Sequence, residues 1–185
     1  MTVGTLTMEE RQTLLALARQ TLDSILGGKT PPRLPQDLPE ALLQPRGAFV
    51  TLHRNGRLRG CIGTFVSTQP LAATIREMVV QAAFHDPRFP EVTAAELASI
   101  DLEISALTPL RPIASPDEVQ VGRHGLYITL GRRSGVLLPQ VATECGWDRA
   151  QFLEHTCLKA GLAPDAWQKG ASLSVFEAEV FGEKQ

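Results

Sequence analysis

Cys61 lies in the run Leu58-Arg59-Gly60-Cys61-Ile62-Gly63, close to two glycines and several arginines. From position 41 to position 76 the chain has no aspartate or glutamate. It has Arg46, Arg54, Arg57, Arg59 and Arg76, so these 36 residues carry a formal charge of +5 in a protein of net charge −2. Cationic neighbours favour thiolate over thiol, and the thiolate is the form that attacks or carries a covalent intermediate. Arg59 is then the group to hold a carboxylate or phosphate of a small anionic ligand. Glycines beside the cysteine let a ligand approach the backbone. The competing reading is a packed cysteine, with the arginines as a solvated edge that discourages strand pairing.

His85, beside Asp86, and His124, before a turn glycine, are the candidate general bases for Cys61. Each competes with a turn or capping role. Asp86 and Arg88 read as a pair that fixes its own loop, or as ligand contacts. Cys145 and Cys157 read as core residues, and Trp147 and Trp167 as core anchors. Other chemistries lack their spacing. There is no C-x-x-C pair, no H-E-x-x-H, no phosphate-binding glycine loop and no G-x-S-x-G elbow, so neither metal nor cofactor is assigned.

The elements that position these residues follow from periodicity. Thr7 with Glu10 is a capping box opening a helix over 7–27, with Leu14, Ala18 and Leu22 on one face. Residues 29–45 hold five prolines and read as an extended surface crossing, with a short turn near Glu40 to Leu43. Asn55-Gly56 between two strand-like runs predicts a type I′ hairpin within 46–65. A regular ladder from that turn places Arg54 opposite Arg57, His53 opposite Leu58 and Val50 opposite Cys61. Val50, Leu52, Arg59 and Cys61 would then share one face, and Phe49, His53, Leu58 and Ile62 the other.

A helix capped by Ser67 or Thr68 follows, then a turn-rich loop, His85 to Val92. Thr93 with Glu96 is a second capping box. Leu102, Ile104 and Ala106 alternate as a strand. Strands are expected over Leu126 to Leu130 and Val136 to Leu138, with a turn from Arg132 to Gly135. Asp148 with Gln151 caps a helix that ends near Gly161, and residues 172–181 read as one final strand. The C-terminal helix and strand thus occupy 148–181. Long helices mixed with hairpins give an α+β class with mixed or antiparallel sheets and four to five helices.

Apolar residues make up 43% of the chain and charged residues 21%, an ordinary globular balance. The near-neutral charge and a small basic patch put nucleic acid last among partners. Three cysteines, no secretory leader and no long apolar run lead to an expected cytoplasmic protein that does not enter the membrane.

Leu58-Arg-Gly-Cys-Ile-Gly63 resembles the hexapeptide that marks the AMMECR domain family, known in prokaryotes as AmmeMemoRadiSam system protein A. Asp86-Pro-Arg-Phe-Pro90, Leu102-Glu-Ile-Ser-Ala-Leu-Thr108, His124-Gly-Leu126, Leu138-Pro-Gln-Val-Ala142 and the block from Trp147 through Cys157 to Gly161 extend the match in order. The resemblance implies one α+β domain over 1–185 with a larger and a smaller lobe, and a cleft near the hexapeptide. It also implies partners, a Memo-like protein and a radical S-adenosylmethionine enzyme, but no settled reaction. Two functions follow: a modifying or substrate-carrying component built on Cys61, or a non-catalytic adaptor whose hexapeptide recognises a protein or a small anion.

Overall fold

Thr7 and Glu10 close the expected capping box, and the helix it opens, α1 (Met8–Leu26), ends at Gly27. Leu14, Leu17, Ala18 and Leu22 form its buried stripe. The structure, a computed structural model, describes residues 5–184. The proline-rich crossing contains one short helix, α2 (Glu40–Leu43), where a turn was expected. The hairpin strands are β1 (Ala48–Arg54) and β2 (Arg57–Thr64). Asn55 and Gly56 both take positive φ, 52° and 75°, as a type I′ turn demands.

Helix α3 (Leu71–Phe84) has Pro70 at its cap position rather than Ser67 or Thr68. Ser67 Oγ instead accepts from the Gln69 N–H at 3.0 Å and meets Thr74 Oγ1 at 2.8 Å, so it shapes the approach to the helix. The Thr93–Glu96 box opens a 3-10 segment, Ala94–Ser99, which leads into β3 (Ile100–Leu107). The last strand, β8 (Ala178–Gly182), completes a sheet of order β2-β1-β3-β8. Val50, Leu52, Leu102 and Ile104 face α1 and α3 in one core. Each such side chain contributes roughly 1.5–3 kcal/mol when fully buried.

The chain divides into two units. The first runs through Leu107 and resumes at Glu179, and the second is Thr108–Ala178. In the second, β4 (Arg111–Pro112), β5 (Gly125–Leu130), β6 (Arg133–Leu137) and β7 (Ser172–Phe176) pair antiparallel in the order β4-β7-β5-β6. Helices α4 (Pro139–Glu144) and α5 (Arg149–Lys159) belong to it, the latter capped by Asp148 and Gln151 as expected. Its core holds Leu126, Ile128, Phe152 and Cys157. Both units mix helices with antiparallel strands, so the fold is α+β.

Four further points depart from the sequence reading. The β5–β6 turn sits at Gly131-Arg132, where Gly131 takes φ 61°, and not at 132–135. Helix α4 was missed because it spans barely more than one turn. Cys145, expected in the core, is exposed at the end of that helix. The single strand over 172–181 is two strands in different sheets, broken at Glu177. Glu177 is where the chain is tied to Thr108: the Glu177 carbonyl accepts from the Thr108 N–H at 2.8 Å, and its own N–H donates to Thr108 Oγ1 at 2.8 Å.

Two residues later Glu179 anchors the return. One of its oxygens accepts from Arg46 Nη2 at 2.9 Å, the other from the Leu6 N–H at 2.9 Å and from Arg11 Nη2 at 3.2 Å. Arg46 is 1% exposed, and its Nε donates to the Leu107 carbonyl at 2.7 Å. One guanidinium thus holds the end of β3 and the start of β8.

Candidate functional site

The hairpin starts as the turn dictates, with Arg54 opposite Arg57 and His53 opposite Leu58. It then departs from the expected ladder. Leu52 pairs with Gly60, so Arg59 is an extra residue in β2, a β-bulge. Beyond it the register moves by one: Cys61 stands opposite Thr51, and Ile62 opposite Val50. A one-residue slip exchanges the two faces of a strand. Cys61 therefore leaves the face of Val50 and Leu52, where a regular ladder put it. It joins Phe49, Thr51, His53 and Leu58 on the face turned away from α1 and α3. Ile62 takes the core side and packs on the first core.

Each residue of the hexapeptide has a definable task. Leu58 is 43% exposed on the helix-free face. Arg59 donates from Nε and Nη2 to the two oxygens of Glu96 at 2.9 and 3.1 Å, from Nη1 to the Pro90 carbonyl at 2.9 Å and from Nη2 to the Glu91 carbonyl at 3.2 Å. Its fork is committed to the protein, so it is not the free anion receptor of the sequence reading. A Cβ on Gly60 would collide with the Ala82 carbonyl of α3, so glycine lets helix and strand touch. A Cβ on Gly63 would collide with the Phe49 ring, which lies across the strand and meets Phe65 edge-on at 4.8 Å. The space beside both glycines, expected for a ligand, is filled by the chain itself.

β2 is an edge strand, and the outward backbone groups of Cys61 need partners. Its N–H donates to Asp86 Oδ2 at 2.8 Å, and its carbonyl accepts from Arg88 Nη2 at 3.1 Å. Arg88 also donates from Nε to Asp86 Oδ1 at 2.9 Å and from Nη2 to Oδ2 at 2.7 Å. The Asp-Pro-Arg turn thus imitates a neighbouring strand at one residue. Asp86 is buried, and the Arg88 guanidinium holds its carboxyl well below the usual carboxylate range against the opposing effect of burial; the Cys61 and Arg88 N–H groups add to the lowering.

Three of the five arginines in the acid-free stretch pair with acids distant in sequence. Glu96 takes Arg54 Nη1 at 2.9 Å as well as Arg59, and Glu179 takes Arg46. Arg76 Nη1 donates to the Pro32 carbonyl at 3.0 Å. The two hydrogen bonds from Arg59 pull Glu96 down to about 2, burial opposes this, and the Thr93 N–H and hydroxyl assist. The sulfur of Cys61 is half-buried and accepts from the Thr51 hydroxyl at 3.2 Å.

The folded-state lowering of Asp86 and Glu96 has a definite sign. Each contributes stability that is complete above the unfolded carboxylate range, near 4–4.5, and is lost as pH falls through the folded value. Denaturant unfolding should therefore show a plateau above pH 5 and a steep loss between pH 4.5 and 2. Equal stability at pH 6 and pH 2.5 would contradict the assignment of these two carboxylates.

The candidate bases are differently placed. His85 is exposed at the C-cap of α3, with its N–H donating to the Gln81 carbonyl at 2.8 Å. His124 is buried in the second unit, where Nδ1 accepts from the Gln120 N–H at 3.2 Å and Nε2 lies 3.9 Å from Glu177. Burial pushes the His124 pKa down, and Glu177 opposes it. Trp147 is half-buried and stacks on His155 at 3.9 Å. Among the described residues no group of three or more His, Cys, Asp and Glu side chains could hold a metal ion, and no helix is long and apolar enough to cross a membrane.

Sequence reasoning missed Thr51 as the cross-strand partner of the cysteine, Glu103 as the next residue in that row, and Glu96 as the lock on Arg59. The bulge hid the first, and the second also needs the pairing of β1 with β3. Glu96 was legible as a helix cap, but its ion pairs join residues 37 and 42 positions apart.

The fold belongs to a known class. The chain matches the AMMECR1 family over residues 15–181 and is a member of that family. A protein of Methanosarcina acetivorans is 45% identical over 97% of this chain and 94% of its own length. One from Methanothermobacter thermautotrophicus is 44% identical over 96% of each. The crystal structure of the uncharacterized protein PH0010 from Pyrococcus horikoshii superposes with a TM-score of 0.81 at 38% identity, covering 97% of this chain and 94% of that one.

Proposed function

We propose that the protein is a recognition module. The helix-free face of the first sheet, with Leu58 and Cys61 of the hexapeptide towards its edge, docks a protein partner. That partner comes from a system containing a Memo-like protein and a radical S-adenosylmethionine enzyme. One observation carries the reading: the arginine fork and the glycines of the hexapeptide, and the backbone groups of Cys61, are spent on the protein itself. The result is a strand held rigid from behind that presents an exposed leucine and a thiol on its other side. Preorganised surfaces of this kind lose less conformational entropy on binding.

Capture of the two purified partner proteins on tagged wild-type protein tests it. Wild type is expected to retain at least one of them. Leu58→Asp and Ser105→Arg, both on this face, should weaken retention by roughly tenfold or more while leaving the thermal unfolding midpoint near that of wild type. Retention unchanged in both variants would overturn the reading.

A carrier role for Cys61 is the second reading, favoured by the half-buried sulfur and its hydroxyl donor. Intact-mass spectrometry of protein purified without reductant tests this role. An adduct that disappears in Cys61→Ser supports it, and an unmodified mass sinks it.

A further inference from the structure

The register that turns Cys61 outward also sets what stands beside it. Thr51 is opposite Cys61 on one side and opposite Glu103 of β3 on the other. Residues directly opposite in adjacent strands share a face. Cys61, Thr51 and Glu103 therefore form one row across three strands. With strands about 4.8 Å apart, the thiol-bearing and carboxylate-bearing backbones are roughly 10 Å apart.

The charges near this row are unequal. Asp101, also on this face, is paired with Lys184. Glu183 is paired with Arg19. Arg59 and Arg54 are spent on Glu96. Among the described residues Glu103 has no ion-pair partner, although it is half-buried and fixed on a central strand. It also lines a groove of about 270 Å³ with His53, Asp101 and Lys184, so there is room beside it for another group.

We infer that the partner docks on this face through a basic side chain, received by Glu103 in the row that holds Cys61. This deepens the recognition reading and rests on it. It reverses the sign of the ligand expected from the sequence, where the arginines suggested an anion. A lysine or arginine fits the span: its stem lies along Thr51 and its charged end meets the carboxylate, while the residue bearing it sits near the thiol. Thr51 and Ser105 are neutral, and the cations at the two ends of the row, Arg88 at the Cys61 backbone and Lys184 in the groove, are each paired with an acid of their own, Asp86 and Asp101.

The test uses two small thiol reagents that differ in charge, aminoethyl and sulfonatoethyl methanethiosulfonate. Each forms a mixed disulfide with Cys61 and releases methanesulfinate. The protein carries Cys145→Ser to remove the exposed thiol, and Cys157 is buried. Rates are expressed as the cationic-to-anionic ratio, divided by the same ratio for free cysteine. A single carboxylate at this distance should raise that normalised ratio roughly threefold or more in dilute buffer and lose most of the effect in molar salt.

Glu103→Gln should bring the ratio to about one, and Glu103→Lys should invert it. Glu154→Gln, which removes an exposed carboxylate on α5, should leave it unchanged. A ratio near one in wild type, or one indifferent to Glu103→Lys, overturns the inference while leaving the docking face intact. Failure of Cys61 to react with either reagent also overturns the inference, because the row is then closed to a side chain from outside, while the docking face stands or falls with Leu58→Asp and Ser105→Arg.

Discussion

Glu96→Ala is expected to lower the free energy of unfolding at pH 7 by about 3–5 kcal/mol, the usual result of removing one member of a buried ion pair. Glu96 is 8% exposed and serves three partners at once. It takes two hydrogen bonds from Arg59 and one from Arg54, and it closes the Thr93 capping box. Its removal strands the Arg59 guanidinium, whose side chain is only 11% exposed, at the bulge that turns Cys61 outward.

The linkage arithmetic agrees in size. A carboxylate at about 2 in the folded state, against 4.5 for the ordinary group, contributes on the order of 3 kcal/mol at neutral pH. The gap between wild type and variant should therefore shrink to about 1–2 kcal/mol at pH 3, where the unfolded carboxyl is already protonated. Glu96→Gln should fall between the two, because the amide oxygen can still cap Thr93. Urea titrations at both pH values read all three quantities. A loss below about 1 kcal/mol at pH 7 would mean that Arg59 finds other partners and that the lock is not Glu96.

Arg46→Ala should be as costly, about 3–5 kcal/mol, for a different reason. Here a fully buried cation joins two places that the chain reaches at different times, the end of β3 through the Leu107 carbonyl and the start of β8 through Glu179. Without it the Leu107 carbonyl loses a donor and Glu179 keeps only Arg11 and the Leu6 N–H. The cluster is not ideally satisfied, since Arg46 Nη1 is buried without a hydrogen-bond partner among the described residues. Replacing Arg46 and Glu179 together by methionine should accordingly cost less than the sum of the single replacements, because the pair no longer leaves one charge alone. Guanidinium titrations of the four proteins in the cycle measure the coupling. Strict additivity would show that Arg46 and Glu179 do not act as a unit.

Much of the local structure was legible. The capping boxes at Thr7, Thr93 and Asp148 and the Asn55-Gly56 turn all form where the residues indicated. These signals act within three or four residues, where a side chain and the backbone group it satisfies are neighbours in any conformation. The alternation of β3 was equally plain, because one face of that strand meets a helix-built core along its whole length. Legibility failed where two parts of the sequence compete for one residue. Residues 172–181 carry one continuous alternation, yet the strand breaks at Glu177 because Thr108 binds it there and two different sheets claim the residues on either side.

The hexapeptide shows the division most clearly. From the sequence alone it was determined that a hairpin carries Cys61, that His53 faces Leu58, that arginines crowd this stretch without local acids, and that the chain resembles the AMMECR family. Which face the sulfur occupies, which acids answer the arginines and what fills the space beside the glycines were decided only in three dimensions. The bulge at Arg59 exists because Glu96 and the Pro90 and Glu91 carbonyls draw that side chain out of the ladder, and those groups lie 31 to 37 residues away. A cation's environment is set by distance in space, which spacing along the chain does not encode.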